Sequence, residues 1–278
     1  KKVIKAITND QIGVPTVVSF WPHPREILFG ESRLRLDLPT EKTLLLKPLG
    51  IEQLVLVPFN KTLASKSAET FVNEVLVKTL HAKHIAVGEN FRFGRNREGD
   101  ISTLKKIGAS LDIKVSIIPI LEDEHGRLSS SRIRKALNEG DLTHAKKLLN
   151  RPYTFRGSVE KGKGLGKKIG WPTANLKIDG RKFLPSLGVY AAWAAIANKK
   201  ERFSAVMNLG PQPTIDPSSS SAVEVHLLGK EINLLGKELI IEPVQRIRIQ
   251  KKFESIEALS KQISLDAELA KKILANNV

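Results

Sequence analysis

Apolar positions in the first half of the chain follow two patterns in turn. Short, nearly continuous apolar runs over Val14 to Phe20, Gln53 to Val57, His84 to Val87 and Ile113 to Ile118 predict buried strands. Between them the spacing is helical. A helix is predicted from Thr40-Glu41-Lys42-Thr43, another over Ser67 to Leu80 with Phe71, Val75 and Leu76 on its apolar side and Ser67 as cap, and a third over Ile101 to Ala109. Strand and helix in alternation predict an α/β domain with a parallel sheet covered on both faces. Ligands of such sheets sit beyond the carboxyl ends of the strands, where Pro22-His23-Pro24 and Gly88-Glu89-Asn90-Phe91-Arg92-Phe93-Gly94 fall.

Two short helices, Ser131 to Asn138 and Leu142 to Leu149, close this half, and the pattern changes near Arg151. Short β-rich runs follow: Phe155 to Val159, Gly188 to Ile196, Ser204 to Asn208, Ala222 to Leu228 and Glu238 to Ile249, divided by Gly, Pro, Asn and Ser. That spacing predicts an antiparallel barrel or sandwich. Ser255 to Leu274 returns to helical spacing through Ile256, Leu259, Ile263, Leu269 and Ile273. The fold class is therefore α/β plus β, with domains over 1–150 and 151–278. Pro217-Ser218-Ser219-Ser220-Ser221 reads as a low-complexity loop, and no internal repeat is visible.

Composition narrows the chemistry. The 278 residues suffice for two cores, and 41% hydrophobic with 27% charged residues is an ordinary globular balance. No apolar run is long enough to span a bilayer and no signal-like start is present, so the expected compartment is the cytoplasm, with no membrane partner. Zero cysteines exclude disulfides, thiolate catalysis and Cys-ligated zinc. Lys and Arg number 45 against 29 Asp and Glu, a net charge of +16, which favours anionic partners. The basic residues come in dispersed pairs (Lys105/Lys106, Lys146/Lys147, Lys251/Lys252, Lys271/Lys272) without interleaved aromatics, which points to nucleotides and away from nucleic acid.

The most informative stretch runs from Gly162 to Asn175: a cationic glycine loop, Gly162-Lys163-Gly164-Leu165-Gly166-Lys167-Lys168, then Ile169-Gly170-Trp171-Pro172-Thr173-Ala174-Asn175. Glycines let backbone N–H groups approach phosphate oxygens, and the lysines neutralise them. Thr173 and Asn175 offer neutral oxygens of the kind a hard cation such as Mg²⁺ accepts beside its waters and phosphates. The spacing is not that of the G-x-x-x-x-G-K-[ST] loop, and the residues alone also suit a basic surface hairpin.

This stretch resembles the phosphate loop and Pro-Thr-Ala-Asn motif of riboflavin kinases. Val87 to Gly94 with Arg97-Glu98-Gly99-Asp100 resembles the flavin adenylyltransferase module, a Rossmann-like nucleotidylyltransferase. Together with Asn208-Leu209-Gly210, Pro213-Thr214, Glu224-Val225-His226 and Arg248 before Lys252-Phe253, the motifs cover nearly the whole chain in the order of the bacterial bifunctional riboflavin kinase and FAD synthetase family.

The resemblance implies a carboxyl-terminal module that phosphorylates riboflavin with ATP to FMN, and an amino-terminal one that adenylylates FMN to FAD. It implies a nucleotide site from Gly162, Lys163, Gly164, Gly166, Lys168, Pro172, Thr173 and Asn175, with Thr173 and Asn175 on Mg²⁺. Glu224 would be the base that accepts the hydroxyl proton, with Asn208 and Arg248 at the flavin. Strand alternation puts Glu224 opposite Val223 and Val225, as it would any solvated strand glutamate; His226 shares its face and is given no role. For the adenylyltransferase the resemblance implies His23, Asn90, Ser130, Ser131 and Arg134, the last three within Ser129-Ser130-Ser131-Arg132-Ile133-Arg134. Read alone, these serines are also a helix cap and His23 a loop histidine.

The chain also departs from the family pattern. Lys1-Lys2-Val3-Ile4 stands where the family's Gly-x-Phe-Asp-Gly-x-His-x-Gly-His segment would end, so the FAD-forming half of the chain as given is expected to be crippled. Trp21 replaces a usual acidic residue, and Gly210-Pro211-Gln212-Pro213-Thr214 lacks a usual arginine. A kinase alone, with a scaffold or regulatory amino-terminal domain, is one rival reading, and a basic RNA-binding barrel is another. The expected partners are ATP, riboflavin and FMN, with weak homo-oligomerisation left open.

Overall fold

The computed structural model describes residues 13–31, 34–162, 166, 169–210 and 223–277. Lys163, Gly164, Lys168, the Pro217 to Ser221 loop, Gln212 to Thr214 and the first four residues all lie outside the described residues. The chain forms two compact units: one of residues 1–33 and 39–128, the other of residues 34–38 and 129–278.

In the first unit, the order is β1 (Thr16–Trp21), α1 (Pro24–Phe29), α2 (Pro39–Leu46), β2 (Gln53–Pro58), α3 (Lys61–Ala64) and α4 (Ala68–Thr70), which widens into a π-helix over Phe71–Thr79. β3 (His84–Gly88), α5 (Ile101–Ser110), β4 (Lys114–Ile118), β5 (Glu122–Asp123) and β6 (Gly126–Arg127) complete it. β1 pairs with β2 and β3 with β4, both parallel, as alternation predicts. Among the described residues these are two separate pairs. The π-turn explains a departure from the predicted spacing. Leu80 N donates to Val75 O, five residues back, and the wider period turns Phe71, Val72 and Leu76 together into a core with Ala68, Phe93 and Leu104. α5 starts where Asp100 accepts from Thr103 N at 2.9 Å.

The second unit begins with α6 (Ser130–Glu139) and α7 (Leu142–Leu149), capped by Ser129 and Asp141. Six strands follow: β7 (Phe155–Glu160), β8 (Ala174–Lys177), β9 (Gly188–Ile196), β10 (Arg202–Leu209), β11 (Val223–Leu227) and β12 (Glu238–Arg248). They close into an antiparallel barrel in the order β10-β11-β8-β7-β12-β9. β12 carries Pro243, which cannot donate to a ladder, and the register shifts between Pro243 and Gln245 accommodate it. β8 is not legible in its sequence, because Ala-Asn-Leu-Lys has little strand propensity; pairing with β7 on one side and β11 on the other holds it extended.

The barrel interior takes one set of alternate residues: Leu176, Met207, Leu209, Val223 and Val225 are all buried. The opposite, outer face of β9 and β10 is covered by α8 (Ile256–Ala275), which sets Ala267, Ala270 and Leu274 against Val189, Ala191 and Val206. Small residues on both sides let the helix lie close. Lys182 is wholly buried, and its Nζ donates to the carbonyls of Leu36 at 2.6 Å and Thr154 at 2.9 Å. Arg151 forks onto Asp37 at 2.7 and 2.8 Å, so residues 34–38 belong to this unit.

Candidate active site

Between the outer wall of the barrel and α8 lies a cavity of about 1260 Å³. Its wall follows from register. Glu160 on β7 is paired with Asn175 on β8, Asn175 with Glu224 on β11, Glu224 with Asn208 on β10, Asn208 with Val189 on β9, and Val189 with Arg248 on β12. One row around the barrel therefore carries every strand-borne residue singled out from the sequence for phosphoryl transfer, and all six line the cavity. Directly paired residues on one face have Cβ atoms about 5 Å apart. Glu224 is thus flanked by two carboxamides, Asn175 and Asn208.

The orientation of these groups is partly determined. Gln250 Nε2 donates to Asn208 Oδ1 at 2.9 Å, which leaves the Asn208 amide N–H groups as donors beside Glu224. Thr173, just ahead of β8, also lines the cavity, as do Gly162 and Gly166. A Cβ built on Gly162 would lie 2.0 Å from Asn175 Nδ2, and one on Gly166 would lie 2.3 Å from Trp171 O and 3.2 Å from Thr173 Oγ1. Only glycine fits at these two positions beside Asn175 and Thr173. Pro172 does not line the cavity; its carbonyl faces His226 Nδ1 at 2.7 Å. The described residues hold no cluster of three or more His, Cys, Asp or Glu that could bind a metal by themselves.

The far side is apolar and basic. Val206, Leu259, Ile263 and Phe253 supply apolar surface, and Lys161, Lys177, Lys251 and Lys252 line the cavity as well. Arg248 is held by Asp266, whose side chain is 3% exposed, and its guanidinium lies 5.6 Å from the Phe253 ring centre. Sequence reasoning missed Asp266, Gln250 and Trp171. Asp266 had a readable signal, since it interrupts the apolar stripe Leu259, Ile263, Ala270 of α8.

The residues proposed for adenylyl transfer fall in both units. In the first, His23 is the N-cap of α1: its Nδ1 accepts from Arg25 N at 3.1 Å and its backbone N–H donates to Glu26 at 3.3 Å. Asn90, in the turn after β3, orients its side-chain oxygen to accept from Arg127 at 2.9 and 3.2 Å. In the second, Ser130 and Ser131 open α6, capped by Ser129. Arg134 donates to the carbonyls of Ser130 at 3.2 Å and Leu34 at 3.1 Å.

Comparison with known proteins finds a match for each half of the chain. The family model described as riboflavin kinase matches residues 149–274, and that described as FAD synthetase matches residues 1–132. The bifunctional riboflavin kinase/FMN adenylyltransferase of Buchnera aphidicola subsp. Schizaphis graminum is 36% identical, covering 92% of this chain and 82% of the relative. Those of Haemophilus influenzae and Escherichia coli K12 are each 33% identical, covering 94% and 92% of this chain and 85% and 81% of theirs.

Among solved structures, a chain described as a macrolide-efflux protein from Streptococcus pneumoniae superposes with a TM-score of 0.83 at 30% identity, covering 97% of this chain and 87% of that one. Efflux is that protein's description; among the described residues here, no helix is long and apolar enough to cross a membrane. With both halves matched, and relatives above 30% identity along most of their length, the chain belongs to the bifunctional riboflavin kinase/FMN adenylyltransferase family.

Proposed function

We propose that the cavity beside the barrel transfers the γ-phosphoryl group of ATP to the ribityl 5′-hydroxyl of riboflavin, and that Glu224 is the base. The observation that carries this reading is the row Asn175, Glu224, Asn208, which sets one carboxylate between two carboxamides beside the glycine loop. Phosphoryl transfer asks chiefly for positioning and charge neutralisation. Glu224 takes the hydroxyl proton as the hydroxyl oxygen bonds to phosphorus and the bond to the ADP oxygen breaks. The lysines that line the cavity attract the triphosphate. The cavity exceeds the roughly 300–1,000 Å³ of a site for one drug-sized ligand, leaving room for both substrates.

Thr173 and Asn175 would hold Mg²⁺. The residues fit this role, because Gly162 and Gly166 leave open the space beside Asn175 and Thr173 that a Cβ would fill, and the ion's other ligands would be phosphate and water. When bound, the ion neutralises charge on the phosphates.

In the complete protein, the amino-terminal half would move AMP from a second ATP onto FMN, releasing pyrophosphate, with His23, Asn90, Ser130, Ser131 and Arg134 as its proposed contacts; the family match over residues 1–132, which takes in all of these but Arg134, supports this. Incubation with riboflavin, ATP and Mg²⁺, followed by chromatography of the flavins, tests the reading. FMN is the expected first product. Riboflavin left unchanged under conditions where the protein is folded would refute it.

A further inference from the structure

His226 lies two residues along β11 from Glu224 and on the same face, and it lines the same cavity. Its Nδ1 is 2.7 Å from the Pro172 carbonyl oxygen. A carbonyl only accepts, so Nδ1 carries the proton and donates. The position of this bond matters. The pyrrolidine ring of Pro172 fixes its φ, and its ψ is the one remaining soft dihedral before the peptide plane that leads into Thr173. A donor held on the Pro172 carbonyl sets that plane, and with it the start of β8.

The histidine is itself held. Its ring meets Trp171 edge-on, with centroids 5.1 Å apart and planes at 73°, and its backbone sits in the ladder opposite Val206. Trp171 Nε1 in turn donates to Ser260 Oγ on α8 at 3.3 Å. Two carbonyl contacts bring the glycine loop into the same assembly, since the backbone N–H groups of Ile169 and Trp171 both donate to Gly166 O, at 3.1 and 2.8 Å. One strand therefore carries both Glu224 and the donor that orients the residues ahead of Thr173.

We propose that His226 is a positioning residue for phosphoryl transfer: through the Pro172 carbonyl it sets Thr173 in register with Glu224, so that the metal-bound triphosphate and the base are held at a working separation. The proposal rests on reading this cavity as the Mg²⁺-nucleotide site. Hydrogen bonds that orient groups around a metal site are worth about ten- to a hundredfold in affinity or activity.

The test compares His226→Asn, whose amide nitrogen takes the place of Nδ1, with His226→Gln and His226→Leu, which leave that position without a donor. ADP binding is measured calorimetrically with and without Mg²⁺, alongside kcat, the riboflavin KM and thermal melting. In the wild type and in His226→Asn, Mg²⁺ tightens ADP binding. His226→Gln and His226→Leu lose about ten- to a hundredfold of that tightening and a comparable factor in kcat, while metal-free ADP affinity and the riboflavin KM stay within about threefold. The proposal is overturned if folded His226→Gln and His226→Leu bind MgADP as the wild type does, or lose affinity equally with and without the metal. It is overturned too if His226→Asn, melting like the wild type, fails as they do. Wild-type protein that binds no MgADP at all would instead bring down the nucleotide-site reading, and this inference with it.

Discussion

Asp266 grips Arg248 by a fork: Arg248 Nε donates to both carboxylate oxygens at 3.0 Å, and Nη2 donates to Oδ2 at 2.7 Å. Gln262 Nε2 donates to Oδ1 at 2.9 Å, and Arg248 Nη1 donates to the Ile249 carbonyl at 3.1 Å, so most of the guanidinium is spoken for before any ligand arrives. The pair joins the end of β12 to the middle of α8 at the edge of the cavity.

Removing one partner from such a pair leaves the other buried and uncompensated. Asp266→Ala is expected to lower unfolding free energy by about 3 kcal/mol or more in urea titrations, whereas the apolar double variant Asp266→Leu with Arg248→Met recovers most of it. The double variant still raises the riboflavin KM if Arg248 contacts the flavin. Recovery of stability together with an unchanged KM would make Arg248 a structural residue only.

The glycine loop gives a steric prediction. Gly162→Ala puts a methyl group 2.0 Å from Asn175 Nδ2, and Gly166→Ala puts one 2.3 Å from the Trp171 carbonyl. Overpacking of this kind costs about 1–3 kcal/mol wherever it is absorbed. Here it falls beside Thr173 and Asn175, and a rise of about tenfold or more in the MgATP KM is expected. Steady-state kinetics with each variant check this.

Glu242, on β12, supplies a pH prediction. Burial pushes its carboxyl up, against the opposing pull of Arg202 and Lys146. A carboxyl raised in the folded state contributes its stability fully below the unfolded value of about 4.3, and that contribution is lost as pH rises through the folded value. Glu242→Gln removes the ionisation, so the variant should gain on the wild type at pH 7 and lose the advantage near pH 4. Urea midpoints at the two pH values decide; a gap of equal size at both would contradict the assignment.

Much of this was legible in the chain and some was not, for physical reasons. β1 to β4 declared themselves through short apolar runs, and the helix over Ser67 to Leu80 through its helical spacing, although its π-widening, which buries Val72 in place of Val75, did not. Glu224 could be put on the wet side of its strand because Val223 and Val225 are apolar neighbours. β8 was hidden because Ala174 to Lys177 form a strand held only by its partners, and with it was hidden the row that sets Asn175 beside Glu224. Asp266 left a mark as the polar break in the apolar stripe of α8, but its partner Arg248 lies 18 residues away in sequence, and the Pro172 carbonyl that His226 meets lies 54 away. Local patterns predict elements, and closure of the barrel decides which side chains share a face.

The most direct test of the account is Glu224→Gln, which keeps the shape of the side chain and removes its basicity. FMN formation should fall by about a hundredfold or more, the range for a lost general base, while MgADP binding measured by calorimetry stays within about twofold of the wild type. Turnover at the wild-type rate in the folded variant would contradict the central claim that the carboxylate between Asn175 and Asn208 takes the substrate's proton.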